Sequence, residues 1–264
     1  MTKILVTGSE GQLGKCIQKI AGNYPDFEFV FHSSTTLDIT NRKKIAEVFS
    51  REHFDYCMNC AAYTNVEQAE KTPEPAFAVN AEAVCHLAQA CLKHQVTLVH
   101  ISTDYVFDGT KETAYATFDK AHPINEYGKS KLEGEKCIQK NLIEYFIVRT
   151  SWLYSEFGKN FYKTILERAQ TQSVLQITDE QIGCPTNANN LATYILNLVA
   201  NNNSDYGIHH FTDGEAMTWY EFAKKILKEN GLQDKVRLDR AKNYRTFARR
   251  PKNSVLETIS PNKN

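Results

Sequence analysis

"KILVTGSEGQLGKCIQKI" occupies residues 3–20. Lys3 to Thr7 is an apolar, strand-like run. From Gln12 on, Leu13, Cys16, Ile17 and Ile20 recur at the spacing of one helix face. Between the two lie Gly8, Gly11 and Gly14. A glycine in the turn relieves the steric limit on φ. One at the helix start lets a pyrophosphate approach backbone N–H groups, and the third lets helix and strand pack closely. The spacing is G-x-x-G-x-x-G rather than the commoner G-x-G-x-x-G. Strand, glycine turn and helix, in that order, predict a dinucleotide held at the start of the first helix.

Outward from this unit the first half of the chain alternates. Strands are predicted over 27–31, 55–61, 96–101 and 145–154. Helices are predicted over 42–50, entered at Thr40 and Asn41, over 73–95 and over 125–140. Strands that are apolar on both faces, separated by helices, imply a parallel sheet covered on both sides. The second half is mixed, with helices over 160–170, 190–200 and 218–231 and short strands near 174–178, 207–212 and 235–238. The expected organisation is a dinucleotide-binding domain, 1–153 plus about 187–208, and a smaller C-terminal substrate-binding lobe, 154–186 and 209–264.

The chain has 264 residues, 42% of them apolar, with 31 basic and 31 acidic side chains. No basic tail or patch supports nucleic-acid binding, and no apolar run reaches the length of a membrane span. The N-terminus enters a strand at once, without the apolar core of a signal peptide. Seven scattered cysteines suit a reducing cytoplasm better than a disulfide framework. Cys57 and Cys60 form a lone C-x-x-C, which reads as small buried residues.

The second strand ends in His32, Ser33 and Ser34, with no acid to repel a 2′-phosphate, so NADPH is tolerated as well as NADH. Asp38 is read as lying beside the adenine, with Ile39 packing on the base. Tyr127 and Lys131 form Y-x-x-x-K, and residues four apart share a helix face. A free phenol, with a pKa of about 10, is a poor acid at neutral pH; a nearby ammonium lowers that value. Tyr220 and Lys224 repeat the spacing, but only Tyr127 follows the strand ending in Ser102, Thr103 and Asp104, at the carboxyl ends of the sheet where ligands bind.

"TGSEGQLG", "NCAAYTNVEQAE", "VNAEAV", "STDYVFDG", "YGKSKLEGE", "RTSWLY", "DEQIGCPT" and "RPKNSVLET" occur in the order found in the extended short-chain dehydrogenase/reductase family, which the chain resembles from Met1 to about Thr258. The resemblance is to its nucleotide-sugar reductases, and most to those that turn dTDP-4-dehydro-L-rhamnose into dTDP-L-rhamnose. It implies a Rossmann-type doubly wound sheet, NADPH or NADH as cofactor and a nucleotide-linked 4-keto-6-deoxy sugar as substrate. It further implies that Gly11, Gln12 and Leu13 contact the pyrophosphate, Asp38 and Ile39 the adenosine end, and that Ala61, Ala62 and Tyr63 line the dinucleotide groove. Thr103 and Asp104 would contact substrate, Tyr127 donate the proton, and Lys131 bind the nicotinamide ribose. Trp152 would pack on the sugar, Arg250 clamp the diphosphate, and Asn80 brace the backbone of the site. Members that bind magnesium at a dimer interface use glutamates; "TNANNLAT" (186–193) offers asparagines, so no metal is expected and a homodimer stays open. The family continues into a last helix beyond the point where this sequence stops.

Dehydratases of the superfamily carry a second acid after Thr-Asp, where this chain has Tyr105. Epimerases share the tyrosine and lysine. The regulatory subunit of methionine adenosyltransferase, a binding partner rather than a catalyst, shares "DYVFDGT", "YGK-x-K" and the "RP" tail; Trp152 and "QIGCPT" favour the reductase.

Overall fold

A computed structural model describes residues 1–241 and 246–258. Residues 242–245 and 259–264 of the predicted second lobe lie outside the described residues. The strands are β1 (Thr2–Thr7), β2 (Phe27–His32), β3 (Tyr56–Asn59), β4 (Thr97–Thr103), β5 (Tyr145–Thr150), β6 (Leu153–Tyr154), β7 (Val174–Ile177), β8 (Ile182–Gly183), β9 (Thr186–Asn187), β10 (Gly207–His210), β11 (Met217–Thr218) and β12 (Arg237–Arg240). The helices are α1 (Gln12–Ile20), α2 (Arg42–Arg51), α3 (Val66–Lys71), α4 (Glu74–Phe77), α5 (Ala83–His94), α6 (Glu126–Asn141), α7 (Phe161–Ala169), α8 (Ala188–Ala200) and α9 (Trp219–Glu229).

Six parallel strands form one sheet in the order β10-β5-β4-β3-β1-β2. Side chains alternate across it. Leu5, Cys57, Leu98 and Ile147 face Ile45 and Phe49 of α2, Leu87 and Cys91 of α5 and Ile138 of α6. Ile4, Val6, Met58, Val99 and Val148 face Leu13 and Ile17 of α1 and Leu191 and Ile195 of α8. A sheet buried on both faces in this way is the Rossmann-type arrangement. Its chain order reverses beside β1, which places a ligand crevice beyond the carboxyl ends of β1 and β3. A separate core gathers Ile165 of α7, Leu175 and Ile177 of β7, and Phe222 and Ile226 of α9.

The glycine turn is built as its residue types require. Gly8 has φ of +66°, and a Cβ there would lie 2.6 Å from the Ala61 nitrogen. A Cβ on Gly14 would meet the Gly8 carbonyl oxygen at 2.5 Å and Ser9 Cα at 2.6 Å. Helix α2 is capped by Asn41, whose side chain accepts from the Lys44 amide.

Three expectations change. The helix expected over 73–95 is two α-helical pieces joined by a π-helical segment at Ala78–Glu82. Periodicity cannot register the one extra residue in a turn; here it accompanies an inward Asn80, buried to 1% exposure. The strand expected over 145–154 is broken between β5 and β6 at Trp152, whose φ is +46°. Cys85 of α5 and Cys137 of α6 form a disulfide with their Cα atoms 5.5 Å apart, while Cys16, Cys57, Cys60, Cys91 and Cys184 are free. Sequence spacing does not reveal two cysteines brought together by helix packing.

Helix α6 lies hard against the π segment, and a Cβ on Gly134 would run into the Asn80 carbonyl oxygen. Gly134→Ala is therefore expected to destabilise the chain by about 2 kcal/mol, the crowding outweighing alanine's better helix propensity. Gly22→Ala, with nothing within 4 Å, should be neutral or stabilising by up to about 1 kcal/mol. Urea unfolding of the two variants measures both.

Candidate active site

The cleft opens where β1, β3, β4 and β5 end, with a volume of about 630 Å³. The start of α1, the turn after β3, the end of β4 and one face of α6 form its walls. Gly11, the N-cap of α1, has no side-chain capping bond, and the first turn carries no acid. The uncapped amides there suit an anion. That feature, with the closeness enforced at Gly8 and Gly14, fits the pyrophosphate of a dinucleotide.

Helix α6 enters the site under a firm cap. Asn125, fully buried, accepts from the Gly128 amide at 2.7 Å and donates to the Arg249 carbonyl at 2.8 Å. Tyr127, Lys131 and Glu135 then follow at four-residue intervals on one face. Lys131 is 2% exposed, and its Nζ donates to the Ile101 carbonyl at 2.7 Å. Burial lowers its pKa to about 8, with Glu135 opposing. Burial also pushes the Tyr127 phenol up, against a hydrogen bond with Thr103. The expected lowering of that phenol by Lys131 does not appear: burial dominates, and the lysine nitrogen is turned to the Ile101 carbonyl and to His100.

Thr103 Oγ1 donates to Asp104 Oδ1 at 3.0 Å and accepts from the Tyr105 amide at 3.2 Å. Asp104 is 2% exposed, and its Oδ2 makes no hydrogen bond among the described residues. Burial raises its pKa to about 7, against hydrogen bonds that favour the carboxylate.

Of the residues singled out in the sequence, Gly11, Gln12, Leu13, Ala61, Ala62, Thr103, Asp104, Tyr127, Lys131, Trp152 and Arg250 line the cleft together. Gly8 lies in the turn beside it. The Tyr63 backbone is held from behind, its amide donating to Asn80 at 2.9 Å and its carbonyl accepting from the same side chain at 3.0 Å; Asn80 also donates to Ser130 Oγ. Asp38 and Ile39 are not in the lining. Asp38 is exposed and accepts from the amide and hydroxyl of Thr40, while Ile39 is buried in the core with Leu37 and Phe49. Arg250 already pairs with Glu67 of α3 at 2.8 Å. The second Tyr-x-x-x-Lys pair stands outside: Tyr220 donates to the Leu238 carbonyl, and Lys224 is exposed.

Sequence reasoning missed α3 and its Glu67, and it missed Trp219. The indoles of Trp152 and Trp219 stack with centroids 3.5 Å apart and planes 6° apart, and both line the cleft. Gly183 leaves no space for a Cβ against Trp152, which accounts for the glycine in "QIGCPT". The only advance signal for α3 was Asn65, whose side chain caps it through the Gln68 amide.

The sheet order and the uncapped glycine turn define a Rossmann-type dinucleotide-binding protein, with a half-buried tyrosine and a buried lysine on the helix over its crevice. The family model described as the RmlD substrate binding domain matches residues 1–263, and the chain belongs to that family. It is 37% identical, over 97% of its length and 91% of the relative's, to the dTDP-4-dehydrorhamnose reductase of Aggregatibacter actinomycetemcomitans. A crystal structure of dTDP-4-dehydrorhamnose reductase from Bacillus anthracis in complex with NADP superposes with a TM-score of 0.94 at 35% identity, covering 98% of this chain and 92% of that one. The corresponding structure from Clostridium acetobutylicum gives 0.92 at 36% identity, covering 97% and 90%.

The buried Asp104 yields a stability prediction. Its folded carboxyl holds a proton more tightly than the unfolded chain, where the pKa is about 4. Its neutral form is therefore favoured, and it makes stability fall as pH rises from about 4 to about 7 and level off above. Asp104→Asn removes that loss, so its advantage over the wild type in urea unfolding should grow between pH 5 and pH 8, by on the order of 3 kcal/mol.

Proposed function

We propose that the chain is an NAD(P)H-dependent reductase of a nucleotide-linked 4-keto-6-deoxy sugar, taking dTDP-4-dehydro-L-rhamnose to dTDP-L-rhamnose. The observation that carries this reading is the meeting of Thr103, Tyr127 and Lys131 in one cleft, with buried Lys131 one helical turn on from Tyr127. The names of the relatives and the NADP held by the Bacillus anthracis structure support it.

In this reading Gly8, Gly11, Gln12 and Leu13 hold the dinucleotide pyrophosphate, and Ala61, Ala62 and Tyr63 line its groove. Asp38 and Ile39 meet the adenosine end through the turn they form, not by lining the deep cleft. The Ser33, Thr35 and Thr36 hydroxyls cluster after β2, a setting of donors that suits the 2′-phosphate of NADPH. When bound, the reduced nicotinamide supplies hydride to the sugar's C4. The protein supplies the rest. Thr103 bonds the carbonyl oxygen and fixes its direction; Tyr127 delivers a proton to that oxygen. Lys131 binds the nicotinamide ribose and, as an ammonium, stabilises the phenolate left behind. Asp104 holds a sugar hydroxyl through its spare oxygen, Trp152 packs on the sugar ring, and Arg250 releases Glu67 to clamp the diphosphate.

We assign residues 1–153 and about 187–208 to a dinucleotide-binding domain and 154–186 and 209–264 to a substrate-binding lobe, with Thr103, Asp104 and Trp152 of the first reaching the sugar. No described helix is long and apolar enough to cross a membrane; the reading places the enzyme in the cytoplasm, with its cofactor. The family resemblance allows a homodimer, which sedimentation would decide.

Tyr127→Phe should keep NADPH affinity and lose at least about 100-fold in turnover of dTDP-4-dehydro-L-rhamnose. Tyr220→Phe should stay within about twofold of the wild type, since a residue remote from the reacting atoms loses no transition-state contact. NADPH oxidation followed at 340 nm reads both, and equal losses in the two variants would remove Tyr127 from the reaction.

A further inference from the structure

Beneath the cleft a line of side-chain bonds crosses the sheet from β1 to α6. Thr7 Oγ1 donates to Asn59 Oδ1 at 2.7 Å. Asn59 Nδ2 lies 3.0 Å from His100 Nδ1, and His100 Nε2 lies 3.3 Å from Lys131 Nζ. Thr7, His100 and Asn59 are at most 1% exposed and Lys131 is 2% exposed.

The proton positions along this line can be counted. The Ala61 backbone N–H also points to Asn59 Oδ1, at 3.3 Å. A backbone N–H only donates, so the Asn59 oxygen is the atom turned to Thr7 and Ala61. Its NH₂ is then turned to His100, whose Nδ1 must accept. Burial, with the charge of Lys131, holds the imidazole well below its usual pKa, so the ring is neutral and its one hydrogen sits on Nε2. That hydrogen faces Lys131. An ammonium has no lone pair to receive it, whereas a neutral amine has one.

We propose that His100 is a positioning residue for Lys131: locked by Asn59 with its hydrogen on Nε2, it presents an N–H to the lysine nitrogen and selects the amine lone pair as its partner. The lysine is thereby kept ready to give up a proton, while an N–H of its own stays fixed on Ile101. The proposal rests on the catalytic reading of Lys131 given above. Other charged or titratable groups come from several elements. Tyr127 and Glu135 lie on α6, and the Glu135 carboxylate is taken by Arg149 of β5 and Ser102 of β4. Asp104 and Tyr105 follow β4. Glu67 and Glu70 of α3 are held by Arg250 and by the Glu126 amide, and His86 lies on α5. Of these, Glu135 acts on the Lys131 charge, and it favours the ammonium. The His100 N–H opposes it.

The first test needs no cofactor. Nitrogen-15 NMR of histidine-labelled, cofactor-free protein should show the His100 ring neutral with its proton on Nε2; a proton on Nδ1 overturns the proposal outright. The second test is the pH profile of kcat for dTDP-4-dehydro-L-rhamnose reduction. If the ammonium supports the phenolate, kcat falls as pH rises through the Lys131 pKa. His100→Phe removes the N–H that favours the amine, so that limb should move up by about one pH unit. His100→Gln, which can return an N–H to the same place, should restore it. Asn59→Asp would accept from Nδ1, reverse the tautomer and move the limb up with the ring intact. An alkaline limb that stays put or moves down in both His100→Phe and Asn59→Asp also overturns the proposal. Should His100→Phe fail to fold, the wild-type tautomer and Asn59→Asp decide. Lys131→Met with undiminished turnover would instead sink the catalytic reading and leave the tautomer standing.

Discussion

Helix α6 is seated by one buried ion pair, and the geometry of the cleft wall follows from it. Arg149 of β5 gives Glu135 two hydrogen bonds, at 3.0 and 2.6 Å, and Ser102 at the end of β4 gives a third at 2.5 Å. Both partners are at most 3% exposed, and the guanidinium also lies 5.1 Å from the centroid of the Phe107 ring. Taking two charges from water costs several kcal/mol per ion before their attraction and hydrogen bonds offset it. Such a pair therefore adds little to net stability, but a misplaced α6 would leave both charges buried and unpaired. The helix has one acceptable rotation, and that rotation turns Lys131, one turn earlier, toward β4, and Tyr127, one turn earlier again, toward Thr103.

The same constraint separates three residues that look alike in the sequence. Ser102, Thr103 and Asp104 end an apolar strand as a single polar cluster. All three reach the cleft lining, but their side chains take different tasks: Ser102 donates to Glu135, while Thr103 and Asp104, at and just past the end of β4, bond each other. The other side of α6 is fitted by small residues. Gly128 and Gly134 let the helix approach the Tyr105 and Asn80 carbonyls closer than any Cβ would permit, and the π segment turns Asn80 inward to hold Tyr63 and Ser130. A π turn in this position trades helix regularity for a fixed wall of the site.

Much of this was legible in the residues. The six-stranded sheet was foreshadowed by runs such as "KILVT" and "VTLVHI", because strands buried on both faces must be apolar throughout. The turn at Gly8 was legible because only glycine takes its φ readily. The distinction between Tyr127-Lys131 and Tyr220-Lys224 came from chain order rather than spacing, since period alone fits both. What escaped depends on contacts between distant segments: Trp219 against Trp152, Glu67 against Arg250, Cys85 against Cys137, and His100 under Lys131. A histidine inside "VTLVHI" reads as one polar interruption of a strand until β3 supplies Asn59. Ile39 shows the reverse case, a motif residue that packs into the core, while exposed Asp38 bonds Thr40 and neither is in the cleft lining.

Burial in the cleft holds its ionisable groups toward their neutral forms. Burial raises Asp104 and Tyr127 and lowers Lys131, so the resting protein avoids several unpaired charges in a small volume. This state is not the one that best transfers a proton. Negative charge arriving along Gly11, Gln12 and Leu13 favours the ammonium at Lys131, and an ammonium favours the phenolate at Tyr127. In the proposed function, charge at the start of α1 thus reaches the acid on α6 through Lys131. In the proposed reading this coupling is electrostatic, and it makes acid strength at Tyr127 depend on what the glycine turn is holding.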